Sequence, residues 1–170
     1  MSKKTLFITR TAALLALLVV LQAVTKSAGQ IVTGSCVNAV LSLSALLGGF
    51  WSGLIVALVS PFLAFLLGIG PKVIAIVPAI ALGNLALVAV LCAMKGDSLP
   101  RRALQWVCAS VCKFAVLYLL VVQLLCRVLT LPEKQLATFG AMFSWPQLIT
   151  ALIGSGVVLL ALPVLKKAIR

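Results

Sequence analysis

Six apolar runs, each close to the length that crosses a lipid bilayer, leave this chain few ways to fold. They lie at approximately 6–25, 31–48, 50–68, 73–94, 103–127 and 146–166. About 20 residues of helix are needed to span the hydrocarbon core, and inside it every backbone group has to be bonded within the protein. The expectation is an all-α integral membrane protein, a bundle of six transmembrane helices forming one domain over residues 1–170. Composition agrees, because 64% of the chain is apolar, against roughly 45–50% in soluble domains. The breaks carry ordinary punctuation: Lys26 to Gln30, Gly48-Gly49, Gly68 to Lys72, the polar run Lys95 to Arg102, and a longer stretch from Thr130 to Pro146.

The first run resembles a signal peptide at its edges, with Lys3 and Lys4 before it and Ser27-Ala28-Gly29 after it. Its 19 apolar-rich positions from Leu6 to Val24 exceed the usual core of such a peptide, and more spans follow. It reads as a retained first helix. The formal charge of +12 would suggest nucleic acid in a soluble chain. Here the basic residues flank apolar runs, so anionic membrane lipid is the expected partner and nucleic acid is not. With the N-terminus cytoplasmic, that side carries Lys3, Lys4, Arg10, Lys95, Arg101, Arg102, Lys166, Lys167 and Arg170, against Lys26, Lys72, Arg127 and Lys134 on the other. The excess predicts an N-in, C-in chain.

The run from Trp106 to Cys126 holds the most informative residue, Lys113, a third of the way along it. An ammonium near a helix centre in lipid costs about 2.5–3.5 kcal/mol on insertion scales, so it faces the bundle interior and finds a partner. The only acids, Asp97 and Glu133, fall in polar connections. Carbonyls, hydroxyls, an aromatic face or a ligand from outside remain as partners. Three roles are open to Lys113: a cation for a substrate carboxylate, a neutral amine in apolar surroundings, or a side chain that snorkels to the interface.

Other polar residues inside the runs are few. Gln30, Gly34 and Asn38 share one stripe at the outer end of the second helix, with Thr33 and Val37 beside it. That arrangement suits a docking floor, and it suits interhelical hydrogen bonding equally. Asn84 stands midway along the fourth helix and converges with Lys113 if helices four and five are neighbours. Tyr118 and Gln123 lie toward the outer end of the fifth, and Trp145, Gln147 and Thr150 open the sixth. Together they outline an outward-facing, mostly apolar pocket with amides, aromatics and one cation, the usual make-up of a small-molecule site. The connection Leu131 to Trp145 mixes apolar and charged residues, as a lid or an interfacial anchor would.

Small residues recur at four-residue spacing in Ala12/Ala16, Gly49/Gly53/Ala57 and Ala75/Ala79/Gly83. Internal packing is their default meaning, and a stripe facing outward would mark a partner surface. Pro61, Pro78 and Pro163 fall inside helices three, four and six, where each removes a backbone donor. The five cysteines lie in apolar runs without metal-ligand spacing, and no histidine is present, so neither a disulfide framework nor a metal site is implied. Without histidine, and without acids inside the membrane, an enzyme would depend on Lys113 or a cysteine alone. The expectation is a protein that is no enzyme and takes no cofactor.

The size, the six short helices, Ala12-xxx-Ala16 on the first, the Thr33-Gly34-Ser35-x-x-Asn38 opening of the second and Gly83-Asn84 in the fourth resemble the substrate-binding S component of an energy-coupling factor (ECF) vitamin transporter. The resemblance extends over essentially the whole chain. It implies a multi-pass protein of a bacterial plasma membrane that captures a vitamin or related micronutrient from outside with high affinity. It further implies docking on a transmembrane coupling subunit with two ATP-binding cassette ATPases, and toppling in the membrane to release the cargo inward. The family's alanine motif maps onto Ala12 and Ala16 as the docking surface. By position the family's binding sites implicate Lys113, Tyr118, Gln123, Trp145 and Gln147.

The chain lacks a phosphate-binding Gly-x-x-x-x-Gly-Lys-Ser/Thr loop, so energy for transport has to come from the partner ATPases. A lone cation favours an anionic vitamin such as pantothenate, nicotinate or a folate. The rival expectation is a non-transporting membrane scaffold of the cell-shape type, which needs no internal pocket.

Overall fold

The computed structural model describes residues 2–94, 96 and 98–168. Helix dominates, and no strand occurs among the described residues. Helix α1 spans Lys3–Thr25, α2 Gln30–Gly48, α3 Phe50–Leu66, α4 Val77–Ala93 and α5 Leu99–Val128. A short helix, α6, covers Glu133–Met142, and α7 covers Trp145–Ala168. Helices α1, α2, α5 and α7 are each long and apolar enough to cross a membrane, as is α4 together with the helical turn Ile74–Ile76 before it, while α3 has 17 residues. Large apolar side chains such as Trp51, Leu66, Leu119, Leu160 and Val164 are exposed around the bundle. Water would penalise that surface, and lipid does not.

The boundaries differ from the sequence-based ones in instructive ways. Helix α4 begins at Val77, so Pro78 sits in its first turn, where its missing N–H costs nothing, and not in the helix interior. Pro61 and Pro163 are interior, as expected. Helix α5 reaches back to Leu99 and takes in Arg101 and Arg102. Its chain is α-helical to Leu117, winds into a wider π-helical stretch over Tyr118–Leu125, and closes with Cys126–Val128. The connection expected from Thr130 to Pro146 contains α6, and Glu133 is its exposed first residue. Lys95, Asp97 and Arg170, all used in the charge argument, lie outside the described residues.

Helix α2 is the hub. It packs most extensively against α7 and also touches α1, α3 and α4, while α5 lies between α4 and α7. Two tight joints put α2 there. Gly29 and Gly49 hold φ of 88° and 82°, a region that side chains avoid, so each reverses the chain within a residue or a short turn. The α2–α7 contact needs small residues on both sides. A Cβ at Gly154 would clash with the Ser35 carbonyl and stand 2.8 Å from Ala39 N, and one at Gly34 would stand 2.8 Å from Thr150 Cγ2.

The apolar core has two parts. Leu18, Val40, Leu41, Val56, Leu87, Val88 and Leu91 fill the end nearer the α2–α3 joint. Ile76, Leu117, Val121, Phe139 and Phe143 fill the other, where α6 lies down on the bundle. The small-residue stripes sort themselves by burial. Gly53, Ala57, Ala79 and Gly83 are buried against neighbours, whereas Ala12 and Ala16 are exposed on the outer face of α1.

Candidate functional site: a cavity floored by Lys113

The buried face of α5 runs Gln105, Ala109, Lys113, Leu117 and Val121 at four-residue spacing. An α-helix drifts past a four-residue repeat and a π-helix lags behind it, so the wider stretch keeps Val121 in line with Lys113. Leu117 fits against Gly83, where a Cβ would lie 2.5 Å from its Cγ. That close approach brings Asn84, the next residue, to Lys113. The Lys113 Nζ donates to Asn84 Oδ1 at 2.7 Å and to Asn38 Oδ1 at 2.6 Å. All three side chains are buried, with Lys113 only 3% exposed.

An ammonium has three donors and no acceptor, so both amides must turn oxygen toward it and nitrogen away. Asn38 spends its nitrogen on Thr150 Oγ1 at 3.3 Å, and Thr150 in turn donates to the Gln147 carbonyl at 3.1 Å. The floor thus ties α2, α4, α5 and α7 together.

Above this floor lies a cavity of about 270 Å³. It reaches from Lys113, Asn38 and Asn84 up to Lys26, Gly29 and Gly70, which are exposed at its mouth. Ser60, Pro61, Val77, Ile80 and Leu117 form much of its wall. Met142 and Phe143, at the junction of α6 and α7, lie over one side. They are held there by two amides on one carbonyl: Gln30 Nε2 donates to Met142 O at 2.6 Å and Gln147 Nε2 at 3.2 Å. Lys26 Nζ donates to the Gly68 carbonyl at 2.8 Å, joining the α1–α2 and α3–α4 connections at the rim.

No carboxylate lines the cavity among the described residues. A buried ammonium supported only by neutral oxygens recovers part of its lost hydration, and a desolvated charge without a counter-ion is costly.

No family model, curated protein or solved structure matches this chain. The site has to be understood from its own geometry.

Of the residues expected at a site, Lys113, Asn84, Asn38, Gln30, Thr33 and Gln147 all line this one cavity. Thr33 also has a local task, its hydroxyl donating to the Thr25 carbonyl at 2.7 Å. Tyr118, Gln123 and Trp145 are not among the lining residues. They form a separate cluster at the rim of the bundle, in which Gln123 Nε2 donates to Tyr118 Oη at 3.0 Å and Arg127 donates to Gln123 Oε1. Trp145, 68% exposed, stacks on Phe114 with ring centroids 5.8 Å apart. Trp106, on nearly the same face as Lys113 by sequence, is a packing residue: its indole Nε1 donates to Leu152 O at 2.8 Å and its ring covers Gly156.

Three polar lining residues were not singled out by the sequence reading of the site: Gln22, Lys26 and Ser60. Gln22 had a signal, since it is an amide within the apolar run of the first helix. Its Oε1 is buried without a hydrogen-bond partner among the described residues.

A second hollow of about 1420 Å³ lies at the other end of the bundle, lined by Gly48, Gly49, Phe50, Arg101 and Arg102 among others. Its buried polar residue, Gln105, is already committed, its amide donating to Leu91 O.

Proposed function

We propose that this chain is the membrane-embedded binding subunit of an ECF-type ABC importer. It captures a vitamin or related micronutrient, an anionic one, from outside with high affinity. Delivery inward follows when it docks on a coupling module made of a transmembrane coupling subunit and two ATP-binding cassette ATPases. The observation that carries this reading is the cavity itself, an accessible chamber inside the helix bundle whose floor is a buried lysine with no acid beside it among the described residues.

Two further features support it. In a six-span, N-in arrangement the basic residues Lys3, Lys4, Arg10, Arg101, Arg102 and Lys167 gather at the cytoplasmic end. The cavity mouth, formed by the α1–α2, α3–α4 and α5–α7 connections, then faces outward. The other feature is the stripe Ala12/Ala16, which is left open while the stripes on α3 and α4 are consumed by internal packing. An unused small-residue face lets a second helix approach closely, as docking on a coupling subunit requires.

The test is a thermal-shift survey of the detergent-purified chain against a panel of vitamins, alongside mass spectrometry of whatever co-purifies. A ligand at about 100 times its Kd adds roughly 2.7 kcal/mol of stability, so a true ligand raises the melting temperature visibly. No shift from any vitamin and no co-purifying metabolite would remove the transport reading and favour a non-transporting scaffold.

A further inference from the structure

The floor of the cavity is asymmetric in hydrogen-bonding capacity. Lys113 consumes the acceptor oxygens of both Asn38 and Asn84. Both residues line the chamber, and the third N–H of Lys113 and the Nδ2 of Asn84 have no hydrogen-bond partner among the described residues. Two donors and a positive charge converge, and the amide oxygens are turned away. Such a floor satisfies a group that only accepts. It leaves an N–H of the ligand facing other donors.

We infer that the site reads the ionised acid of a small monocarboxylate, and that Asn38 and Asn84 are the positioning residues that make it select the acid over the corresponding amide. The inference rests on the capture reading above and narrows its substrate class. One lysine at the floor matches one carboxylate, and the other lysine of the lining, Lys26, stands at the mouth and is bonded to the Gly68 carbonyl. The volume of about 270 Å³ equals that of about nine water molecules at roughly 30 Å³ each, which sets the ligand at on the order of ten non-hydrogen atoms. Nicotinate and pantothenate are of that order, whereas a folate would extend out through the mouth.

Two hydrogen bonds to a charged group are at stake, so the amide of a bound acid is expected to bind about 10–100-fold more weakly. The experiment is isothermal titration of the full chain in detergent with nicotinate against nicotinamide and pantothenate against pantothenamide, within a wider panel of neutral and cationic vitamins. Asn84→Asp and Asn38→Asp supply the second arm. Either change gives Lys113 an internal carboxylate, so the protein stays folded while acid binding falls about 100-fold or more. A purely structural role for the asparagines predicts folded variants with unchanged binding. The expected result is that binding is confined to small monocarboxylates and is lost in a folded Asp variant.

Equal affinity for acid and amide, or binding only of neutral or cationic vitamins, overturns the inference and leaves the capture reading standing without its anionic ligand. Undiminished acid binding in either folded Asp variant overturns it as well. Failure of every compound in the panel overturns the capture reading, and this inference falls with it.

Discussion

Two polar clusters sit five residues apart on α5 and share almost the same chemistry. Lys113 with Asn38 and Asn84 combines a cation and amides, and so does Arg127 with Gln123 and Tyr118. The difference is where the partners come from. Lys113 draws them from α2 and α4, so three helices close over it and the group is buried. Arg127, Gln123 and Tyr118 find one another along a single helix, with Trp145 added from α7, and the cluster remains at the rim. A chamber requires long-range contacts that exclude lipid and water together. Partners taken from the same helix leave a surface feature, however polar its residues.

The largest effect that can break this contrast acts on the packing beneath the chamber. Gly154→Leu drives a side chain into the Ser35 carbonyl and the backbone of Ala39, groups that cannot rotate aside. Overpacking of this kind costs on the order of 3 kcal/mol, and separation of α2 from α7 pulls Asn38 away from Thr150. Thermal melts should show a large loss, and the binding of any acid should go with it. Gly140→Ala on α6, where a new Cβ meets nothing within 4 Å, is the matched control and should change stability by less than about 0.5 kcal/mol. Equal melting temperatures for the two variants would mean that the helices are farther apart than described.

The next effect separates binding from folding. Lys113→Met keeps an unbranched side chain of similar length and removes an ammonium whose insertion costs about 2.5–3.5 kcal/mol. The variant should insert and fold, while acid affinity falls by about tenfold or more, equivalent to about 1.4 kcal/mol. Titration of the purified variant decides it. Unchanged affinity would take Lys113 out of the site and make its two asparagine contacts a structural tie only.

How much of this was legible beforehand follows from what a sequence encodes about a membrane helix. Depth is nearly explicit, because position along an apolar run fixes height in the bilayer. Lys113 and Asn84 could therefore be placed at compatible heights, and the structure joins them, whereas Asn38, expected at the outer end of the second helix, reaches the same lysine. Direction around the helix axis is not explicit when most faces are apolar, since the usual contrast of polar and apolar faces is missing. Tyr118 and Gln123 shared the right height with the cavity and faced elsewhere. The π-helical stretch compounds this, because it changes the residues per turn within α5 just where the two clusters part.

Other misses have equally physical origins. Helix α6 was hidden in a stretch whose apolar residues serve two surfaces: Phe139 packs into the core, whereas Leu136 and the charged first turn stay nearer the surface. Pro78 read as a mid-helix break because nothing in the apolar run from residue 73 marks the true start at Val77. Gln22 was passed over because a single amide in a first helix has no neighbour in sequence to suggest a role. The outward direction of Ala12 and Ala16 could not be told from the inward direction of Gly53 and Ala57 by spacing, and only the packing of α1 separates them.

The smallest expected effect tests the comparison from its other side. Tyr118→Phe removes the hydroxyl that Gln123 donates to, and Gln123→Leu removes the amide that Arg127 contacts. Both groups lie near the edge of the bundle, where headgroups and water can replace the lost bonds. Stability should change by no more than about 0.5 kcal/mol in either variant, and acid affinity by less than about twofold, because no atom of this cluster reaches the chamber. Titration of the two variants with the best-binding acid measures this directly. A tenfold loss would mean that the rim closes onto the ligand during capture, joining the two clusters into one site in the bound state.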